Sequence, residues 1–216
     1  VKGEQTADHP IGRETMSGTD AKEGSVAVAM AVDSRSRLSG RHFDAADSYL
    51  IYRCGDGGPE GPDRLPNPEL DCDADEDAGG VGSVRELLSD RGVEVAVGGC
   101  FGPDINRIRH SFVPVVADPA PAESVLEQLL KRWDRVLAEL DKPGRERRHV
   151  RLRASGATVA AWVDTGLCQV CGLCEPACPV GAITAEGLAM VDRWLCVRCR
   201  ACMEVCPFDA ISLKVQ

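Results

Sequence analysis

The chain has 216 residues, with 34 acidic against 25 basic side chains and a formal charge of −9, a length that allows one ordinary domain plus a small one. An acidic balance argues against nonspecific nucleic-acid binding, which needs cations to displace counterions from phosphate, and no run approaches the roughly 18 apolar residues that would span a bilayer. Aromatic residues are only 4% of the chain, so the core must rest on Val, Leu, Ile and Ala, and a cytoplasmic protein with no nucleic-acid or membrane partner is expected.

Residues 1–24 are polar and Gly-rich without a hydrophobic period, which predicts a disordered tail. Residues 26–32 are a continuous apolar run of strand length, and 48–53 are a second β candidate. The loop between them carries Leu38, Ser39, Gly40, Arg41, His42 and Phe43. Gly, Pro and Asp dominate residues 55–80, where a mobile insertion is expected. Ser83 followed by Glu86 has the spacing of a capping box, and the helix it opens should stop at Gly92. Residues 93–97 form a strand running into Gly98, Gly99, Cys100, Phe101 and Gly102, and Pro103 suits the first turn of the next helix. A strand at 112–116 follows. One last helix, about 122–140, puts Leu126, Leu129, Leu130, Trp133, Leu137 and Leu140 on one face.

This alternation implies parallel strands joined by crossover helices, an α/β domain over residues 25–140. In such sheets the ligand crevice lies beyond the carboxyl ends of the strands, so the 33–43 and 98–102 loops are the candidate site. His42 and Cys100 are candidate cofactor ligands there, and Gly98, Gly99 and Gly102 could turn backbone N–H groups toward an anion. A dinucleotide-binding G-x-G-x-x-G is missing from this loop. Cys54 and Cys72 receive no role.

The opening strand with Asp33, the Leu38-Ser39-Gly40 and His42-Phe43 groups, Tyr49-Leu50-Ile51-Tyr52, Gly79-Gly80, Gly98-Gly99 and Gly102-Pro103 together resemble the dinitrogenase iron-molybdenum cofactor biosynthesis family, small carriers of cofactor precursors. The resemblance covers about residues 25–140. It implies a ribonuclease-H-like α/β fold, a cluster-ligating histidine at His42, and an additional iron–sulfur or iron-molybdenum-type cluster held by this domain. The chain departs from the family pattern at Asp44, where glycine is usual, and in the length of its 55–80 insertion.

Residues 141–159 form a basic linker with Lys142, Arg145, Arg147, Arg148, Arg151 and Arg153. Such a run is either solvated or leans on the acidic segment that follows.

Eight of the eleven cysteines lie between Cys168 and Cys206, and this clustering reads as metal rather than disulfide. Residues 162–183 align without gaps on 190–211, with ten of 22 positions identical, the mark of a duplicated half-domain. Each half has the bacterial ferredoxin run C-x2-C-x2-C-x3-C-P. Three thiolates two residues apart can curl around one cubane, while the fourth, followed by proline, points away to the other. Cluster one then takes Cys168, Cys171, Cys174 and Cys206, and cluster two takes Cys196, Cys199, Cys202 and Cys178. Structural zinc is the alternative, but it needs neither the third cysteine nor the Cys-Pro step. The run resembles two-cluster bacterial ferredoxins, which implies a small α+β ferredoxin-type domain at 160–216 holding two [4Fe-4S] clusters. Arg200 stands where the first half has Gly172, and a cation there should favour the reduced form of cluster two.

No catalytic residues are assigned. The C-x3-C-x2-C radical motif and the phosphate-binding G-x4-G-K-[ST] loop do not occur. The expected function is electron transfer coupled to a cofactor-carrier domain in metallocofactor assembly or delivery, with redox proteins and a cluster donor or acceptor as partners. Two alternatives stay open: a ferredoxin-fed oxidoreductase subunit, and a ferredoxin whose front domain only recognises a partner.

Overall fold

The computed structural model describes residues 24–67, 83–103, 105–152 and 159–215. The expected tail at 1–23, Cys72, Gly79-Gly80 and Arg153 lie outside the described residues.

The front part is a six-stranded sheet. Its strands are β1 (Val26–Val32), β2 (Ser48–Gly55), β3 (Gly58–Pro66), β4 (Val93–Gly98), β5 (Val113–Val116) and β6 (Val150–Arg151), in the spatial order β3-β2-β1-β4-β5-β6. β1, β2 and β3 pair antiparallel, while β1, β4, β5 and β6 run parallel. Period-2 alternation sorts β1 between two cores: Ala29 and Ala31 face one layer, and Val28, Met30 and Val32 the other.

Helices α1 (Val84–Asp90) and α2 (Ile105–Ser111) cover the first face. The capping box forms as the spacing implies: Ser83 Oγ accepts from the Glu86 N–H at 3.4 Å and Glu86 Oε2 from the Ser83 N–H at 3.1 Å. Gly92 closes the turn with a left-handed φ of +69°. Helices α3 (Ala122–Leu130) and α4 (Trp133–Leu140) cover the second face.

Three segments differ from the sequence expectations. The single helix over 122–140 is broken at Lys131 and Arg132, and the break resets its phase: Val136 is fully buried, while Leu137 is 38% exposed. The segment expected to be a mobile insertion begins as the edge strand β3, which hairpins back through a two-residue Asp56-Gly57 loop. Its prolines are tolerated because an edge strand need not donate on both sides. The basic linker contributes β6 to the sheet through two parallel pairings with β5. Arg147 braces it by donating to the carbonyls of Lys142, Ser111 and Leu140.

Behind β6 the chain enters a second, smaller unit with β7 (Val159–Val163), α5 (Cys174–Ala177), β8 (Ile183–Thr184), β9 (Met190–Val191), α6 (Ala201–Glu204) and β10 (Ile211–Val215). β7 pairs with β10 and β8 with β9, both antiparallel. The repeat is visible as crossed hydrogen bonds: the Asp164 N–H donates to the Ala210 carbonyl at 2.7 Å, and its counterpart Asp192 to that of Ala182 at 2.8 Å. Each half therefore completes the backbone hydrogen bonding of the other.

Candidate metal centres

The aspartates at the start of each half set up the thiols that follow. The Asp164 carbonyl accepts from the Cys168 N–H at 2.9 Å and that of Asp192 from the Cys196 N–H at 3.0 Å. The loops then pass through left-handed residues at equivalent positions, Val170 and Arg198 (φ +56° and +59°), then Gly172 and Arg200 (φ +76° and +66°). Only one of these four is glycine, and a β-branched residue rarely accepts this conformation. The loop shape therefore runs against local preference.

Among the described residues, no three His, Cys, Asp or Glu converge as a single-ion site. The thiols instead stand around two cavities of nearly equal size, one lined by Cys168, Cys171, Cys174 and Cys206 and the other by Cys178, Cys196, Cys199 and Cys202. Each cavity thus draws its fourth thiol from the opposite half. Backbone N–H groups point at sulfur, from Ala182 to Cys178 at 3.1 Å and from Ala210 to Cys206 at 3.4 Å, as suits thiolate ligands of iron–sulfur clusters. Burial pushes the Cys199 thiol up to about 11 and the Cys202 thiol up to about 12. Metal coordination would offset that desolvation by deprotonating them outright. Arg198 lines the second cavity, and its Nε is buried without a hydrogen-bond partner among the described residues.

The two cavities have different surroundings. Around the first, Leu167, Val170 and Leu173 are each 50% exposed and Cys171 is exposed. The second lies against the front domain: Val197, Cys199 and Ala201 belong to the same buried cluster as Phe43 and Phe101. Arg198 reaches across the joint to the carboxyl end of β5, where Nη1 pairs with Asp118 Oδ1 at 2.6 Å and Nη2 donates to the Ala117 carbonyl. Arg151 donates to the carbonyls of Arg193, Cys196 and Val159. The basic segment thus meets the module at backbone carbonyl oxygens. Cys54 is buried in the second core of the front domain, its thiol pushed up to about 11 by that burial.

The two front loops meet beyond the ends of β1 and β4. His42 and Cys100 form a parallel bridge in which the Phe43 N–H donates to the Cys100 carbonyl at 2.8 Å. Phe43 is pinned by the rings of Phe101 and Tyr49, 5.1 and 5.2 Å away, and its carbonyl accepts from the Tyr49 hydroxyl at 2.7 Å. His42 itself is exposed and lies over Gly102, where an added Cβ would stand 2.3 Å from its Cε1. At Gly99 an added Cβ would stand 2.3 Å from the Ser39 carbonyl oxygen, and at Gly98 3.1 Å from the Phe43 ring. These glycines therefore serve close approach between the loops. Cys100 is turned the other way, its Sγ donating to the Arg198 carbonyl at 3.3 Å. Burial pushes its thiol up, while the Gly102 N–H and the charges of Arg198 and Arg200 pull it down.

Arg198 and Asp118 did not emerge from the sequence as site residues. The one signal for Arg198 was the asymmetry of the repeat, where Arg198 and Arg200 replace Val170 and Gly172; Asp118 had none. Arg200 also lines the second cavity. Arg200→Gly removes its cation and relieves its left-handed strain, so the potential of the second centre should move negative with no loss of stability. The shift should be modest because Arg200 is exposed and solvent screens it. A spectroelectrochemical titration with both potentials unchanged would remove Arg200 as a tuning residue.

Two family models match the chain. The one described as dinitrogenase iron-molybdenum cofactor matches residues 24–132, just over half of the chain, and so spans both front loops. The one described as 4Fe-4S dicluster domain matches residues 167–210, which hold all eight clustered cysteines. No curated protein matches the chain.

Proposed function

Because the chain belongs to the dinitrogenase iron-molybdenum cofactor family, we propose that it is an electron-transfer protein with two [4Fe-4S] centres whose front domain carries a metallocluster during cofactor assembly or delivery. Strand order β3-β2-β1-β4-β5, antiparallel and then parallel, supports the ribonuclease-H-like reading of that domain. Cys168, Cys171, Cys174 and Cys206 would hold the first centre, and Cys178, Cys196, Cys199 and Cys202 the second. Bound clusters supply one-electron redox chemistry.

The single observation that carries the reading is the contact between the second cage and the front loops, with Cys100 Sγ 3.3 Å from the Arg198 carbonyl. It gives the module a direction. The first cage, with its exposed leucines, faces redox partners; the second faces the front domain; and His42, exposed over Gly102, is left as the ligand for cargo. A second reading is favoured by Cys100, whose sulfur is turned to the module and away from any cargo, so that the front domain would recognise a partner and hold nothing.

The test is iron, sulfide and molybdenum per chain after anaerobic loading with ferrous iron and sulfide, with and without molybdate. On the carrier reading, metal beyond that of the two ferredoxin centres binds to the wild type. His42→Ala and Gly102→Ala both lose it, the latter because its methyl group displaces the imidazole. Equal metal content in all three proteins favours partner recognition.

A further inference from the structure

A cavity of about 690 Å3 takes no part in the function proposed above. It lies at the joint, walled by α2, α4 and β6 on the front domain and by Val180, Trp194 and Leu195 of the module. Four arginines that line it, Arg109, Arg132, Arg135 and Arg148, have no bonded acceptor for their guanidinium groups among the described residues, and the Arg109 Nε is buried without a partner. Glu139 is the one carboxylate in that lining, and it is already engaged. Its Oε1 accepts from Lys142 Nζ at 2.6 Å, and its Oε2 from the Arg148 N–H at 2.7 Å. On a chain of net charge −9, four uncompensated cations converging on one concavity run against the overall balance. A low-dielectric cleft focuses their field on whatever enters it. His149, at the same wall, is held neutral: burial first, then Arg151, brings its imidazole down to about 4.

We infer that this cavity is a binding site for a small phosphorylated ligand of the nucleotide class. Guanidinium groups take phosphate oxygens in a bidentate fork, and four of them suit a ligand with more than one negative charge. The volume falls within the roughly 300–1,000 Å3 range of small-molecule sites and exceeds what one inorganic ion fills. The module adds an apolar and aromatic wall of Val180, Trp194 and Leu195, with the Arg193 guanidinium 4.7 Å from the centroid of the Trp194 ring. Trp194 and Leu195 immediately precede Cys196, so the cavity adjoins the second cage.

The experiment is anaerobic calorimetry on the full, cluster-loaded chain at low salt, with ADP and with pyrophosphate. Expected are saturable one-to-one binding of ADP and an affinity at least tenfold weaker for the Arg132→Gln/Arg135→Gln double variant. Unchanged cluster absorbance in that variant reports an intact fold, since Arg135 is exposed and Arg132 only half-buried. Trp194→Ala should weaken ADP more than pyrophosphate. Absence of saturable binding by both probes, or equal affinity in wild type and double variant, overturns the site. Pyrophosphate binding as tightly as ADP, with no effect of Trp194→Ala, overturns the nucleotide class.

Discussion

Cys206→Ala is expected to abolish the first centre and spare the second, although Cys206 belongs to the second repeat. Its sulfur lines the cavity of Cys168, Cys171 and Cys174, while Cys178 of the first repeat lines the other. Cys206→Ala and Cys178→Ala should therefore each halve the iron and sulfide of the ferredoxin module and leave there the EPR signature of one isolated reduced cluster. The stability costs should be unequal. Structural metal binding contributes on the order of 10 kcal/mol to folding of a small domain, and the module's own buried cluster is mostly alanine, valine and the cysteines themselves. Losing the first centre loosens a solvent-facing end. Losing the second through Cys178→Ala also frees Val197, Cys199 and Ala201, which are packed into the front domain, so Cys178→Ala should unfold at the lower temperature. If Cys206→Ala instead emptied the cage of Cys196, Cys199 and Cys202, the crossed assignment would be wrong.

The second large effect is expected at Arg198. Its side chain is 6% exposed and that of Asp118 14%, with 2.6 Å between Nη1 and Oδ1. Such a pair owes little of its worth to simple attraction, since desolvation offsets most of the Coulomb gain. Removing one partner still leaves a buried charge uncompensated, at a cost of about 3–5 kcal/mol. Arg198→Met should therefore lower stability by about that amount and expose the joint to limited proteolysis. Arg198→Met combined with Asp118→Leu should recover much of the loss. Arg198→Gly separates backbone from charge: it relieves the left-handed φ of +59° yet still orphans Asp118, so it should remain destabilised. A single variant within about 1 kcal/mol of wild type would falsify the view that this pair fastens the module to the crevice.

What could be read from the chain in advance followed from local rules. The capping box at Ser83 and Glu86 and the apolar run of β1 each depend on a few consecutive residues, and each appears in the structure where the spacing put it. The hairpin into β3 was also legible at Asp56-Gly57, but the surrounding Pro and Gly content outweighed it, and an edge strand with only one paired side tolerates that composition. The break at Lys131 and Arg132 had no such signal. Neither residue stops a helix, and only packing against the sheet decides that Val136 turns inward in place of Leu137.

The candidate site divides in the same way. The repeat and its cysteine spacing pointed by themselves to an iron–sulfur module, because a cubane constrains thiolates within a few residues of one another. The loops of His42 and Gly98–Gly102 were recognisable from their residues and from where parallel strands end. Only the tertiary structure decided that the module sits on that end of the sheet, that Cys100 is spent on the Arg198 carbonyl, and that Arg198 finds Asp118 80 positions away. It also decided that arginines from α2, α4 and the basic segment converge on one cavity. The physical reason is range: ligand spacing and capping are set by bonds along the chain, whereas a buried ion pair or a shared cavity exists only once distant segments have excluded water together.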